Sequence, residues 1–184
     1  MMKKKIAIII GSLRQASNCR KVANELIRLA PEEFSLHLIE SGDLPLYNED
    51  LEGENIPESW KRFRSELSEV EGVIFVTPEY NRGTSAAMAN AIEVGSRPPK
   101  MGVLNGKPAG VIAVTPGAMG AAGGAREVRS RLVPLNMPTL QQPEVYISKV
   151  KELYLDDGST LKEETQELLK KFLGKFAEHI QLYQ

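Results

Sequence analysis

The amino-acid sequence predicts an α/β domain built around a parallel β-sheet. Short apolar segments recur along the 184 residues, and segments with the apolar spacing of a helix lie between them. Five strands that alternate with helices indicate β-α-β units, whose strands run parallel. Hydrophobic residues make up 42% of the chain and charged residues 26%, as in ordinary globular proteins. The length favours one domain over residues 1–184.

The first third of the chain opens with the clearest strand. Residues 6–10 are a continuous apolar run, typical of a strand buried on both faces. A helix is predicted over 17–30 and a second strand over 34–39. Residues 41–57 are rich in acidic residues, Gly and Pro and predict a loop, and the stripe of apolar residues in 59–70 predicts a helix.

The middle of the chain repeats this alternation. A third buried strand is predicted over 73–76 and a helix over 84–94. The fourth strand covers 110–114. Residues 116–124 form a Gly-rich turn, from which a helix extends to about Val133.

The last strand and helix complete the pattern. Residues 140–147 predict a strand, and Pro143 within it favours a position near a sheet edge, because proline cannot donate a ladder hydrogen bond. A long amphipathic helix is predicted over 161–183. Ligands of open parallel sheets bind beyond the carboxyl ends of the strands. We therefore expect the chemistry in the loops that follow Ile10, Val76 and Val114.

Charge and composition exclude several classes of protein. Lys and Arg (23) nearly balance Asp and Glu (24), so the chain lacks the overall basic charge of a nucleic-acid-binding protein. Cys19 is the single cysteine, which excludes internal disulfides, and His37 and His179 have no metal-site spacing. The apolar run 6–10 is shorter than a signal-peptide core of roughly 7–15 residues, and no membrane span of about 20 apolar residues is present. We expect a cytoplasmic protein without a metal.

The first loop has the composition of a phosphate-binding site. It joins a strand to a helix N-terminus, whose free N–H groups favour an anion, while Ser12 and Ser17 add hydroxyls and Arg14 adds a charge. The loop matches neither a Walker A motif nor G-x-G-x-x-G. The alternative is a helix capped by Ser17 with Arg14 on the surface. Cys19 has no basic or histidine partner in the sequence, which favours a packed thiol over a catalytic one.

The second loop could support a flat ring. Pro78 stiffens it, Tyr80 offers an amphipathic surface, and Asn81 offers both a donor and an acceptor. The small residues 85–87 leave room for close approach. The alternative is a proline-initiated turn with an exposed tyrosine. Glu79 lacks a matching carboxylate or histidine, which favours capping of the following turn over acid–base catalysis.

The third loop, residues 116–126, contains four glycines and little bulk. Glycines allow positive φ angles and close backbone approach, although a flexible turn would have the same composition. Since all three loops follow parallel strands, they are expected at one sheet edge. This shared position strengthens the case for a ligand site.

Together these motifs resemble the NAD(P)H-dependent FMN reductase family, a flavodoxin-like group that includes chromate, quinone and azo-dye reductases. The likeness extends from Ile6 to about Ile147. It implies a doubly wound five-stranded parallel sheet of order 2-1-3-4-5 with helices on both faces. It rests on residues 11–14 with Ser17, on 77–81, on 90–92, and on 119–120 with 123–126.

The resemblance also implies a set of FMN-binding residues. The phosphate would be held by Ser12, Arg14 and Ser17 and by the backbone of Asn18 and Cys19. The isoalloxazine would be lined by Pro78, Glu79, Tyr80 and Asn81, and its far side closed by the loop of Thr115, Gly117 and Ala118. The sequence departs from the family pattern at Cys19, where asparagine is usual, at residues 85–87, and at Gly117 or Ala118, where a serine is common.

The activity implied is reduction of a small acceptor by NADPH or NADH through bound FMN, in a ping-pong cycle. Quinones, free flavins, azo compounds and metal oxyanions are the implied acceptors, and no catalytic side chain is required. The resemblance also implies a homodimer or homotetramer, with Arg126, Arg129 and Glu144 as candidates for inter-subunit pairs. The alternatives are a non-catalytic flavodoxin-like electron carrier, against which the net charge of −1 argues, or a binding module that has lost its flavin.

Overall fold

The computed structural model describes residues 3–183 and contains the parallel sheet that the sequence predicts. Every neighbouring pair of its strands is parallel. The order across the sheet is β2-β1-β3-β4-β5, as the family resemblance implied. The strands are β1 (Lys4–Ile10), β2 (Phe34–Leu38), β3 (Gly72–Thr77), β4 (Ala109–Val114) and β5 (Val145–Ile147).

Helices cover both faces of the sheet because alternate strand residues point to opposite sides. Ile6, Ile8 and Ile10 join one apolar cluster with the first and last helices, whereas Ala7 and Ile9 join the other cluster with the remaining three. The helices are α1 (Asn18–Arg28), α2 (Glu58–Ser68), α3 (Ala86–Ser96), α4 (Ala122–Leu132) and α5 (Glu163–Gln181). Within residues 3–183, no helix is both long and apolar enough to span a membrane.

The fifth strand is shorter than the sequence prediction of 140–147. It comprises Val145–Ile147 and lies at the sheet edge, where Pro143 had placed it. Leu140 makes a separate backbone bond, donating its N–H to the oxygen of Ala109 at 2.8 Å. Residues 141–144 then leave the ladder, since Pro143 has no N–H to donate. The predicted strand 140–147 thus combines the end of an isolated bridge, in which Ala109 bonds both Pro138 and Leu140, with the strand Val145–Ile147.

Helix α5 packs closely on the centre of the sheet. A Cβ added to Gly110 in β4 would lie 2.6 Å from Cζ of Phe172, whose side chain is fully buried. Glycine at this position therefore sets the distance between α5 and the sheet.

We predict that Gly110→Ala destabilises the fold by about 1–3 kcal/mol, because the added methyl group overpacks a filled core. The matched control is Gly174→Ala on the exposed side of α5, where nothing lies within 4 Å of an added Cβ. This control should gain roughly 0.5–1 kcal/mol from higher helix propensity. Urea unfolding measures both changes, and a Gly110→Ala protein as stable as wild type would contradict the packing argument.

Candidate active site

The loops that follow β1, β3 and β4 enclose a cleft of about 170 Å³ at the carboxyl edge of the sheet. This edge is where the sequence places the ligand. Eight of the twelve predicted site residues line the cleft, and Val114 and Pro116 join them. The eight are Ser12, Arg14, Asn18, Cys19, Pro78, Glu79, Tyr80 and Thr115.

The start of α1 forms the polar end of the cleft. Helix N-termini leave their first N–H groups without intrahelical partners, and Asn18 and Cys19 supply those groups here. Ser12 is 6% exposed. Within residues 3–183, the Ser12 hydroxyl and the Arg14 guanidinium have no hydrogen-bond or ion-pair partner. The arrangement combines free donors with a positive charge, which suits an anion.

Ser17 lies behind this end of the cleft and caps the helix. Its hydroxyl oxygen accepts a hydrogen bond from the N–H of Arg20 at 3.2 Å, and the residue is 2% exposed. The capping role weighed in the sequence analysis is therefore present, and Arg14 is exposed as that alternative required. The cap fixes the direction of the free N–H groups.

Cys19 is a packed thiol in the first turn of α1. It is 2% exposed, and burial raises the pKa of its thiol to about 12. The thiol is therefore neutral near pH 7, and a neutral thiol is a poor nucleophile.

The first and second loops are joined through Ser85. Its hydroxyl donates to the backbone oxygen of Gly11 at 2.5 Å and accepts from the N–H of Met88 at 3.1 Å, so it also caps α3. A Cβ on Gly11 would lie 2.6 Å from Cδ of Pro78. Ser85 is thus a structural tie between the loops as well as a small residue.

The second loop reverses in a tight turn just after the cleft. Tyr80 and Gly83 exchange two backbone hydrogen bonds of 2.9 Å, and both intervening residues, Asn81 and Arg82, have positive φ. This is the geometry of a type I′ turn. The Tyr80 ring is half exposed at the cleft, whereas Asn81 is exposed at the tip of the turn and does not line the cleft.

Glu79 caps α4 rather than the turn that follows it. Its Oε2 accepts from the N–H groups of Gly123 at 2.7 Å and Gly124 at 3.3 Å. A Cβ on Gly123 would lie 2.4 Å from the backbone oxygen of Arg82, and one on Gly124 would lie 2.5 Å from that of Pro78. The two glycines let α4 approach the second loop, and the carboxylate neutralises the helix end.

A second carboxylate braces the same junction from the opposite side. Glu127 in α4 accepts from the N–H of Thr84 at 2.8 Å and pairs with Arg131 at 2.9 Å. These contacts lower the pKa of the Glu127 carboxyl, with the Arg131 bond as the largest cause. Glu127 was not among the predicted site residues, because only its i,i+4 spacing to Arg131 marks it in the sequence.

The third loop closes the cleft opposite α1. Thr115 lines the wall, and its hydroxyl accepts from the N–H of Gly117 at 3.0 Å. The oxygen of Gly117 in turn accepts from the N–H of Lys149 at 2.8 Å. Gly117 and Ala118 are exposed at the rim and do not line the cleft.

Comparison with known proteins identifies the family. A quinone reductase of Pseudomonas putida is 48% identical over 177 residues, which cover 96% of this chain and 95% of the relative. A 2-hydroxy-1,4-benzoquinone reductase of Burkholderia sp. is 35% identical, with 94% of each chain covered. The structure of FerB, a flavoenzyme NAD(P)H:(acceptor) oxidoreductase from Paracoccus denitrificans, superposes with a TM-score of 0.90 at 36% identity and 98% coverage of each chain.

The sequence profile described as NADPH-dependent FMN reductase matches residues 4–152, which contain all three loops of the cleft. With the two reductase relatives and the FerB structure, this match covers the sheet and the candidate site together. The chain belongs to the NADPH-dependent FMN reductase family.

Proposed function

We propose that the chain holds FMN in the cleft at the carboxyl edge of the sheet and passes electrons from NADPH or NADH to a quinone. Family membership makes it an oxidoreductase that uses FMN with NAD(P)H as electron donor. Quinone is the acceptor class favoured by the names of the two relatives. The observation that carries the placement is the unpaired Arg14 beside the buried Ser12 hydroxyl at the start of α1.

The polar end of the cleft fits the FMN phosphate. Arg14 would supply a charge-assisted hydrogen bond and Ser12 a hydroxyl donor. The backbone N–H groups of Asn18 and Cys19 would supply the remaining donors. Ser17 acts from behind by holding the helix start. Glu79, the carboxylate among the lining residues, is compensated by the start of α4, which donates to its Oε2, and by Arg82, whose Nη1 lies 3.8 Å from its Oε1.

The other end of the cleft fits a flat ring. Pro78, Tyr80 and Pro116 give apolar walls, and Thr115 adds a hydroxyl. The half-exposed Tyr80 ring leaves the mouth of the cleft accessible to a second small molecule. FMN, when bound, would supply the redox chemistry that carries electrons from NAD(P)H to the acceptor.

The residues of the cleft hold and orient FMN and do not react themselves. Glu79 is committed to α4, and the Cys19 thiol is neutral. We infer that NAD(P)H and the quinone use the same open mouth in turn, which gives ping-pong kinetics. Among residues 3–183, no group of three or more His, Cys, Asp or Glu side chains is placed to hold a metal ion.

We propose a homodimer or homotetramer in the cytoplasm, with no nucleic-acid partner. Of the candidate inter-subunit residues, Arg129 donates to the oxygen of Leu140 at 3.0 Å and Glu144 accepts from Tyr146 at 2.7 Å. Both therefore have partners within the chain. Arg126 is exposed and is the strongest remaining candidate for a contact between subunits.

We predict that Arg14→Ala raises the Kd for FMN about tenfold or more, because a charge-assisted hydrogen bond contributes roughly 1.5–3 kcal/mol. The Kd for riboflavin, which lacks the phosphate, should not change. Fluorescence titration of the apo-protein measures both constants. Lys171→Ala, which removes an exposed charge on α5, is the control for net charge. Equal weakening of FMN and riboflavin would contradict the phosphate assignment.

We predict that the purified holo-protein oxidises NADPH or NADH with a benzoquinone and needs no partner protein. Double-reciprocal plots at several quinone concentrations should give parallel lines, as expected when donor and acceptor occupy one site in turn. Stopped-flow bleaching of the flavin by NAD(P)H without oxygen, followed by recovery on adding quinone, measures the two half-reactions. A protein that bleaches but passes electrons only to another protein would be a carrier, and intersecting lines would exclude the ping-pong cycle.

We predict that Cys19 is protected from thiol reagents in the folded protein. Its thiol has a pKa of about 12, above the ordinary value, so it stays protonated in the native state at about pH 8 while an unfolded thiol begins to ionise. The free energy of unfolding should therefore decline as the pH rises from about 8.5 towards 12. A chromogenic disulfide reagent should react slowly with native protein and rapidly in denaturant. Rapid stoichiometric labelling of the native protein would contradict the buried, neutral thiol.

A further inference from the structure

A short hairpin near the C-terminus lies against the helix that starts the candidate phosphate site. Residues 153–162, here called the 153–162 hairpin, precede α5 and pair Tyr154 with Leu161 in an antiparallel bridge. Lys162 donates its N–H to the oxygen of Leu153 at 2.8 Å. The turn is closed by Gly158 at a φ of 65°. The family match ends at residue 152, just before this hairpin.

Three side chains along one face of α1 contact the hairpin. Tyr154 donates its hydroxyl to Oδ1 of Asn18 at 3.2 Å. Lys21 donates to the oxygen of Gly158 at 2.5 Å, with its Nζ 4.8 Å from the centre of the Tyr154 ring. Further along, Glu25 accepts from the N–H of Leu161 at 3.4 Å. Because residues three and four positions apart share a helix face, the contacts form one continuous seam.

The first contact of this seam fixes the amide of Asn18, which lines the cleft. A carboxamide carries one oxygen acceptor and one NH₂ donor group. The oxygen is occupied by Tyr154, and within residues 3–183 the NH₂ group has no partner. The polar group left for a ligand is therefore a donor, which matches a phosphate. An amide rotated by half a turn would present its oxygen and repel the phosphate.

We propose that Tyr154 is a positioning residue for FMN: by holding the Asn18 oxygen, it keeps the amide NH₂ group available to the flavin phosphate. This inference deepens the proposed function and rests on the phosphate end of FMN lying at the start of α1. Tyr154 acts through Asn18 and does not itself line the cleft.

The environment of Tyr154 keeps its hydroxyl protonated and therefore able to donate. Burial raises the pKa of the Tyr154 phenol to about 12, with the nearby Cys19 as a smaller cause. The phenol is therefore protonated wherever the protein is folded near neutral pH. A protonated phenol can donate to the amide oxygen, whereas a phenolate could not.

The test is Tyr154→Phe, which removes the hydroxyl and keeps the aromatic ring under the Lys21 ammonium. We expect the Kd of the full-length apo-protein for FMN to rise about threefold to tenfold, the range of one neutral hydrogen bond. The Kd for riboflavin should not change, because riboflavin lacks the phosphate. Unchanged riboflavin binding also shows that the variant is folded. Flavin fluorescence quenching measures both constants.

The matched control is Tyr146→Phe. It also removes a tyrosine hydroxyl bonded to a side chain, that of Glu144, and Tyr146 does not line the cleft. FMN binding by this control should equal that of wild type. Asn18→Ala should weaken FMN binding at least as much as Tyr154→Phe, and adding Tyr154→Phe to it should cause no further loss.

Two kinds of result would overturn the proposal. The first is a Tyr154→Phe protein that binds FMN as tightly as wild type, or that loses FMN and riboflavin affinity equally. The second is a double variant whose losses add, which would mean that Tyr154 does not act through Asn18. Failure of the proposed function is a different result, in which Arg14→Ala fails to separate FMN from riboflavin. If Arg14→Ala separates them and Tyr154→Phe does not, the positioning role alone is wrong.

Discussion

The candidate site depends on close backbone contact between three loops, which glycine alone permits at the contact points. Pro78 lies between two of these glycines. An added Cβ on Gly11 would be 2.6 Å from its ring, and one on Gly124 would be 2.5 Å from its backbone oxygen. Any side chain at either position would separate the loops and widen the cleft between β1, β3 and β4. The absence of side chains at Gly11 and Gly124 therefore sets the distance between the walls of the site.

Hydrogen bonds from polar side chains also hold this junction together. They occupy hydroxyl and carboxylate groups that would otherwise be available for catalysis. Ser85 bonds Gly11, Glu79 bonds the start of α4, and Glu127 bonds Thr84 from within that helix. A carboxylate in a cleft suggests an acid or a base, yet this one neutralises a helix end. We infer that the chain holds and orients the cofactor and that the reactivity belongs to the cofactor.

The sequence was sufficient for the parts of the fold that have a local pattern. Strands buried on both faces leave continuous apolar runs, so β1, β3 and β4 and the edge at which their loops meet could be predicted from the residues. The edge strand β5 could not be bounded, because Leu140 and Val145 are equally apolar although a break lies between them. The strand order and the candidate FMN-binding residues came from resemblance to a family.

The hydrogen bonds between residues far apart in the sequence left no such local pattern. Glu79 and Gly123 are 44 positions apart, and Asn18 and Tyr154 are 136 apart. Hydrogen bonds of this kind depend on where the folded chain brings two polar groups together, and no periodicity marks either partner. These hydrogen bonds were therefore found only in the folded structure. One partner of each, Glu79 or Asn18, was nevertheless already a candidate site residue in the sequence.

The seam between the 153–162 hairpin and α1 gives the last helix an unexpected connection. Lys21 and Glu25 fasten the segment that leads directly into α5 to the same helix that begins at the cleft. Opening of the C-terminal helix and loosening of the helix start are therefore thermodynamically linked, and a ligand that binds the ordered helix start opposes both.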